Sequence, residues 1–119
     1  MSPPLEGRWQ PLRAEFAGVS APAEVLAKTE LELRAGHYTV RFGAEAVDHG
    51  SYAHDRCTNG ALILTGLKGT NAGRTLPAIY QLVGDRLRIC YGIDGQSPDA
   101  FAATPGSQRY LVTYRRKTS

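Results

Sequence analysis

Hydrophobic and polar residues alternate with a period of two along much of this chain, which is typical of β-strands that bury one face. The clearest examples are residues 29–34 and 37–42, in which leucines or aromatic and β-branched residues occupy alternate positions. The pair Ala35-Gly36 separates these two segments and predicts a tight turn. The same combination of an alternating segment followed by a glycine-containing turn recurs to the end of the chain.

This pattern predicts about eight strands and one short helix. We expect the helix at residues 21–27, with Ser20 as its N-cap and Pro22 in its first turn. Consecutive hairpins favour an up-and-down antiparallel meander, and eight strands curl naturally into a barrel that leaves no exposed edge. The predicted strands are 7–16, 29–34, 37–42, 45–53, 61–66, 75–83, 86–91 and 109–116.

The length of 119 residues predicts a single all-β domain over residues 1–119. An eight-stranded barrel is just wide enough to be filled by its own side chains or to hold one small ligand, and both interpretations are open at this point. The side chains expected inside are Trp9, Leu31, Leu33, Tyr38, Val40, Phe42, Tyr52, Leu62, Leu64, Tyr80, Leu82, Leu87, Ile89 and Tyr91.

Aromatic residues are the main candidates for ligand contacts within this set. Each buried tyrosine hydroxyl needs a hydrogen-bond partner, so several inward tyrosines favour a cavity in which they orient a ligand. The candidate ligand-binding residues with aromatic side chains are Tyr38, Phe42, Tyr52, Tyr80 and Tyr91.

Two charged residues are further candidates for the barrel interior. If the arginine face of residues 86–91 points inward, Glu15 and Arg88 form a buried pair that binds a polar group of the ligand. The alternative is that Glu15, Arg86 and Arg88 all face solvent, which is the ordinary position of charged side chains.

The segment Gly7-x-Trp9 on the first strand, followed by a short helix and a meander, resembles the calycin and lipocalin pattern. In those barrels the tryptophan plugs one end and a basic residue of the last strand lies across it. The resemblance therefore assigns barrel closure to Trp9 and to Arg115, with Arg116 as the alternative, through a cation–π contact.

A closer resemblance covers nearly the whole chain and is to a lipocalin-like domain family of bacterial proteins that is abundant in Planctomycetes. It implies the barrel fold, and the family has no established activity to transfer. One departure is Ser97-Pro98, where family members often carry Arg-Pro. The matching segments are Leu5-Glu6-Gly7-Arg8-Trp9, Glu15, Gly18, Gly36-x-Tyr38, Gly50-x-Tyr52, Asp55, Asn71-Ala72-Gly73-Arg74-Thr75, Ala78-Ile79-Tyr80, Gly84-Asp85-x-Leu87-x-Ile89-Cys90, Pro98-x-x-Phe101 and Gly106-Ser107.

Charge and composition argue against several classes of partner. The formal net charge is +3 and the basic residues are scattered apart from residues 115–117, so we expect no nucleic-acid binding. No apolar run is long enough to span a membrane, and residues 1–6 lack the pattern of a signal peptide. We therefore expect a cytoplasmic protein in which Cys57 and Cys90 are reduced, with Cys90 acting as a small buried hydrophobe.

The remaining motifs do not favour a catalytic, metal or cofactor site. His49 and His54 are five residues apart, which places them on opposite faces of a regular strand and disfavours a shared metal. The glycine-rich residues 66–74 lack the spacing of a phosphate-binding loop, and Ser107 is not in a nucleophile elbow. We expect no cofactor and no enzymatic activity.

Two classes of function stay open on the sequence alone. The first is a barrel that binds an apolar or amphipathic small molecule, gated by residues 21–27 and 92–108. The second is a structural or protein-interaction module with a filled core, whose outer wall or loops contact a protein partner.

Overall fold

The computed structural model describes residues 5–54 and 60–117. These residues form nine strands and one short helix, in the order predicted except for one additional two-residue strand. The elements are β1 (Gly7–Phe16), β2 (Val19–Ser20), α1 (Ala23–Lys28), β3 (Thr29–Arg34), β4 (His37–Phe42), β5 (Glu45–His54), β6 (Ala61–Gly69), β7 (Thr75–Val83), β8 (Arg86–Gly92) and β9 (Arg109–Arg116).

The strands form a closed antiparallel barrel. From β3 to β9 each strand pairs with the next one along the chain, and β1 pairs with both β3 and β9. Eight strands therefore complete the barrel, and β2 is an extra strand attached to β1. This confirms the predicted all-β up-and-down barrel with one short helix.

Helix α1 lies beside the part of β1 that has no pairing with β3. The β1–β3 pairing extends only from Gly7 to Trp9, and beyond it the Gln10 Nε2 donates to the Leu26 carbonyl at 2.6 Å. The helix begins two residues later than predicted, at Ala23, because the Ala21 amide donates to a β1 carbonyl and Ser20 pairs within the sheet. Ser20 is therefore not the N-cap, a position that Pro22 occupies without a side-chain capping bond.

Trp9 fills one end of the barrel. Its indole is fully buried, and its Nε1 donates to the Leu5 carbonyl at 3.0 Å. The guanidinium of Arg116 lies 4.3 Å from the centre of the indole ring and donates to the Glu6 carbonyl at 2.7 Å. The prediction that Arg115 closes the barrel is wrong, because Arg116 is the residue directly opposite Trp9 on β9 and opposed residues share a face of the sheet.

The long connection between β8 and β9 covers the outer wall of the barrel. Cys90 faces outward from β8 but is fully buried, since its Sγ lies 3.7 Å from the carbonyl oxygen of Ala102 in this connection. Phe101 lies against the guanidinium of Arg88 at 4.2 Å from the ring centre. Cys90 is therefore buried as predicted, whereas Cys57 lies outside the described residues.

Helix α1 has six residues, and the described residues contain no helix with the length and hydrophobicity needed to cross a bilayer.

Replacing Arg116 by alanine should lower the free energy of unfolding by about 1–3 kcal/mol, because it removes a cation–π contact and a charge-assisted hydrogen bond at a buried end. The matched control is Arg115→Ala, an exposed residue on the same strand, which should change it by less than about 0.5 kcal/mol. Urea unfolding followed by tryptophan fluorescence measures both. Equal losses in the two variants would contradict the assignment of Arg116 to the closed end.

Candidate functional site

The interior contains a cavity of about 90 Å³. It lies toward the end of the barrel away from Trp9, because its lining includes Thr29 at the start of β3, Asn71 between β6 and β7, and Ile93 after β8. Aliphatic side chains such as Leu64 and Val112 form much of its wall. The interior is therefore filled at one end and hollow at the other.

Asp48 is the one buried charged residue in the described part of the chain, with 7% of its surface exposed. Its Oδ1 accepts hydrogen bonds from the Tyr38 hydroxyl at 3.2 Å and from the Asn71 backbone amide at 3.3 Å. Its Oδ2 accepts from the Asn71 Nδ2 at 2.7 Å. The carboxylate thus joins strands β4 and β5 to the connection between β6 and β7, at the wall of the cavity.

Asp48 points inward in regular alternation with Gly50 and Tyr52, and a β-bulge in β5 lies directly before it. Val40 of β4 is opposite Asp48 while Arg41 is opposite Ala46, so Val47 is the extra residue. A regular register would place Val47 opposite Val40, and a bulge of this kind re-aims the side chains that follow it. Val47 is instead 37% exposed, and the carboxylate occupies the inward position.

Gly50 makes room for the Tyr38 ring. The two residues are opposite each other on β5 and β4, and a Cβ on Gly50 would lie 2.6 Å from the Tyr38 Cε2 and 2.1 Å from the Thr65 carbonyl oxygen. The ring can therefore cross β5 and reach Asp48. Burial and the neighbouring Asp48 charge raise the pKa of Tyr38 to about 12, so its hydroxyl is a hydrogen-bond donor at neutral pH.

A second polar pair lies on the opposite wall, on β8 and β9. The hydroxyls of Tyr91 and Tyr114 are 2.9 Å apart and both side chains are buried. Burial raises the pKa of each phenol well above its ordinary value. Tyr110 stacks on Tyr91 with ring centres 5.7 Å apart, and all three tyrosines line the cavity.

The five aromatic residues predicted to bind a ligand do not all lie at the cavity. Tyr38 and Tyr91 line the cavity. Tyr52 is buried in the core but is not part of the cavity lining, and Tyr80 is half-buried and packs edge-on against His54 at 5.8 Å. The structure therefore brings only two of the five together at the cavity.

Phe42 is not inside the barrel. Its side chain is 42% exposed at the last position of β4, and the Lys28 Nζ lies 6.0 Å from its ring centre. The alternation that predicts an inward Phe42 continues past the rim, where the strand has no interior to face.

Glu15 and Arg88 do not form the predicted interior pair. Glu15 bonds Arg13 at 2.9 Å on the outer wall, and Arg88 lies between the inward residues Leu87 and Ile89 and contacts Phe101 outside. The aliphatic face of β8 points into the barrel. The alternative prediction, in which these charged side chains face outward, is therefore the correct one.

Five cavity-lining residues with polar side chains are absent from the predicted site: Thr29, Asp48, Asn71, Tyr110 and Tyr114. The alternation of Tyr110, Val112 and Tyr114 contains the signal for the two tyrosines. Asn71 lies in the glycine-rich segment 66–74. This segment folds back so closely on itself that a Cβ on Gly66 would lie 1.8 Å from the Asn71 carbonyl oxygen, so the contact requires glycine. No local pattern indicates that contact.

The histidines lie outside the cavity. The rings of His37 and His49 stack with centres 5.8 Å apart on the outer wall, and the Thr39 hydroxyl lies 3.0 Å from the His49 Nδ1. Within residues 5–54 and 60–117 no cluster of three or more histidine, cysteine or acidic side chains is arranged to hold a metal ion.

The chain matches no protein-family model, no curated protein and no solved structure. The resemblance to the lipocalin-like family therefore stays a prediction.

Replacing Tyr38 by phenylalanine should reduce the loss of stability at alkaline pH. The folded-state pKa of Tyr38, about 12, lies above the unfolded value near 10. The stabilisation is complete below about pH 10 and is lost as the pH rises through about 12, because the unfolded phenol ionises first.

Urea unfolding at several values from about pH 9 to about pH 12 measures this slope, and the Tyr38→Phe variant should decline less steeply than the wild type. Tyr80→Phe, which changes a tyrosine outside the cavity, should keep the wild-type slope. Parallel declines in the wild type and Tyr38→Phe would contradict the described surroundings of this hydroxyl.

Proposed function

We propose that the protein binds a small amphipathic molecule in the cavity of its barrel. The observation that carries the proposal is Asp48, a carboxylate buried at the wall of a cavity whose other lining side chains are uncharged. Burying a carboxylate costs several kcal/mol, and a barrel filled for stability alone does better with an apolar side chain. A polar group placed in an apolar cavity is the usual arrangement for orienting a ligand.

The cavity volume supports a small ligand. An apolar cavity of about 150 Å³ holds a benzene molecule, so a cavity of 90 Å³ admits a ligand of about four non-hydrogen atoms. The aliphatic wall would contact the apolar part of this molecule. The hydroxyls of Tyr38, Tyr91 and Tyr114 and the Asp48 carboxylate would contact its polar part.

The two segments expected to act as gates border the cavity. Thr29 follows α1 directly and Ile93 belongs to the β8–β9 connection, and both are lining residues. Helix α1 has no fully buried residue, and its attachment to the barrel includes the partly buried Leu26 and the hydrogen bond from Gln10 to the Leu26 carbonyl. Arg74 donates to the Ile93 carbonyl and to the Asn71 Oδ1, which ties two sides of the cavity mouth together.

We assign the barrel to the lipocalin-like class and to binding rather than catalysis. Trp9 under the Arg116 guanidinium and the up-and-down strand order support the class. Binding is favoured because the raised pKa values of the cavity phenols keep them protonated at neutral pH, where they position a ligand but are poor acids.

A protein-interaction module is the second candidate, and one observation favours it. Phe16, Val19 and Pro22 line an exposed apolar surface beside α1, and Val19 is 71% exposed. Exposed apolar patches often mark contact sites for other proteins.

Native mass spectrometry of gently purified protein, compared with the denatured mass, tests the first candidate. We expect a reproducible additional mass on the wild type that is reduced or absent in Val40→Phe, which adds bulk at the cavity lining. Val83→Phe makes the same substitution at an exposed position and should retain the additional mass. A bare wild-type mass, together with capture of a defined protein that Val19→Asp abolishes, would favour the interaction module instead.

A further inference from the structure

We propose that the ligand of this cavity carries a compact organic cation, such as a protonated primary amine, bound against Asp48. The inference rests on the proposed ligand-binding function and adds the chemical class of the ligand. It follows from the charge, the hydrogen bonding and the aromatic lining of the same cavity.

The first step concerns the charge of Asp48. Its partners are a phenol and an asparagine, which are neutral, and none of the ion pairs in the described ranges includes this carboxylate. Buried charges in proteins are ordinarily paired or bound to a cation. A cationic ligand supplies the countercharge that the described neighbours of Asp48 do not.

The second step concerns acceptor capacity. A carboxylate has about four acceptor sites. Tyr38 and Asn71 use three of them, and two of these bonds are long, at 3.2 and 3.3 Å. The carboxylate can therefore accept a further bond from an ammonium group in the cavity.

The third step concerns the aromatic lining. Tyr38, Tyr91, Tyr110 and Tyr114 all line the cavity, on strands β4, β8 and β9. Aromatic faces attract cations, and desolvated sites strengthen the attraction. Several tyrosines together with one carboxylate are a suitable lining for an ammonium group and an unsuitable one for a carboxylate or phosphate.

The positive charge of Arg74 at the mouth of the cavity does not reverse the preference for a cationic ligand. Arg74 is exposed and its guanidinium is bonded to the Ile93 carbonyl and the Asn71 side chain. Water and salt screen an exposed charge of this kind much more strongly than they screen a buried one. The interior charge that a bound ligand meets is that of Asp48.

Three small probes of nearly equal size separate charge from shape: propylamine, propan-1-ol and propionate. Isothermal titration calorimetry at pH 7 measures their affinities, and amide chemical shifts locate them in the cavity. For the wild type we expect propylamine, which is protonated at this pH, to bind at least about tenfold more tightly than propan-1-ol, and propionate to bind least.

The variant Asp48→Asn should reduce the preference for propylamine over propan-1-ol to less than about threefold. The matched control is Glu15→Gln, which removes one negative charge from the outer wall and should retain the wild-type preference. Circular dichroism verifies that each variant is folded. If Asp48→Asn does not fold, the ranking of the three probes on the wild type decides the question alone.

The outcomes separate this inference from the proposed function. Equal binding of propylamine and propan-1-ol in the cavity, or an amine preference that persists in Asp48→Asn, overturns the pairing of a cationic ligand with Asp48 and leaves a small-molecule site. Failure of all three probes to bind at millimolar concentration overturns both. An amine preference that is lost in Asp48→Asn and kept in Glu15→Gln supports both.

Discussion

The double pairing of β1 is the constraint on which the rest of this barrel depends. Only Gly7–Trp9 pairs with β3 on one side and the strand continues along β9 on the other, so the barrel closes at the level of Trp9. The indole and the Arg116 guanidinium fill this end. Beyond Trp9, β1 separates from β3, and α1 takes the place of β3 beside β1. The cavity lies toward this end of the barrel.

Most of the fold could be predicted because the alternation of hydrophobic and polar residues within each strand is a local feature of the sequence. The side-chain period of two assigns a face to each residue, and glycine-containing turns mark the strand ends. The helix start could not be predicted in the same way, since the hydrogen bond from the Ala21 amide to the Ala14 carbonyl holds the preceding residues in the sheet. That contact joins different elements and leaves no local pattern.

The candidate site was predictable only where the strands are regular. Tyr38 and Tyr91 lie within unbroken alternation and line the cavity. Asp48 alternates with the inward Gly50 and Tyr52, but the adjacent apolar Val47 competes for the inward position, and the bulge that excludes Val47 depends on the pairing of β5 with β4. Phe42 fails for a related reason, because alternation continues past the rim while the enclosed interior does not.

The polar part of the cavity is coupled to the stability of the barrel. Gly50 admits the Tyr38 ring, that hydroxyl donates to Asp48, and Asp48 holds the segment that contains Asn71. Three neutral donors offset only part of the cost of burying a carboxylate.

The proposed ligand would bind the folded state alone, so it would stabilise the fold by an amount that grows with the logarithm of one plus the ratio of the free-ligand concentration to Kd. The end of the barrel that Trp9 and Arg116 close does not depend on a ligand in this way. Trp9 and Arg116 thus close one end of the barrel, while the other end holds the buried carboxylate for which we propose a cationic ligand.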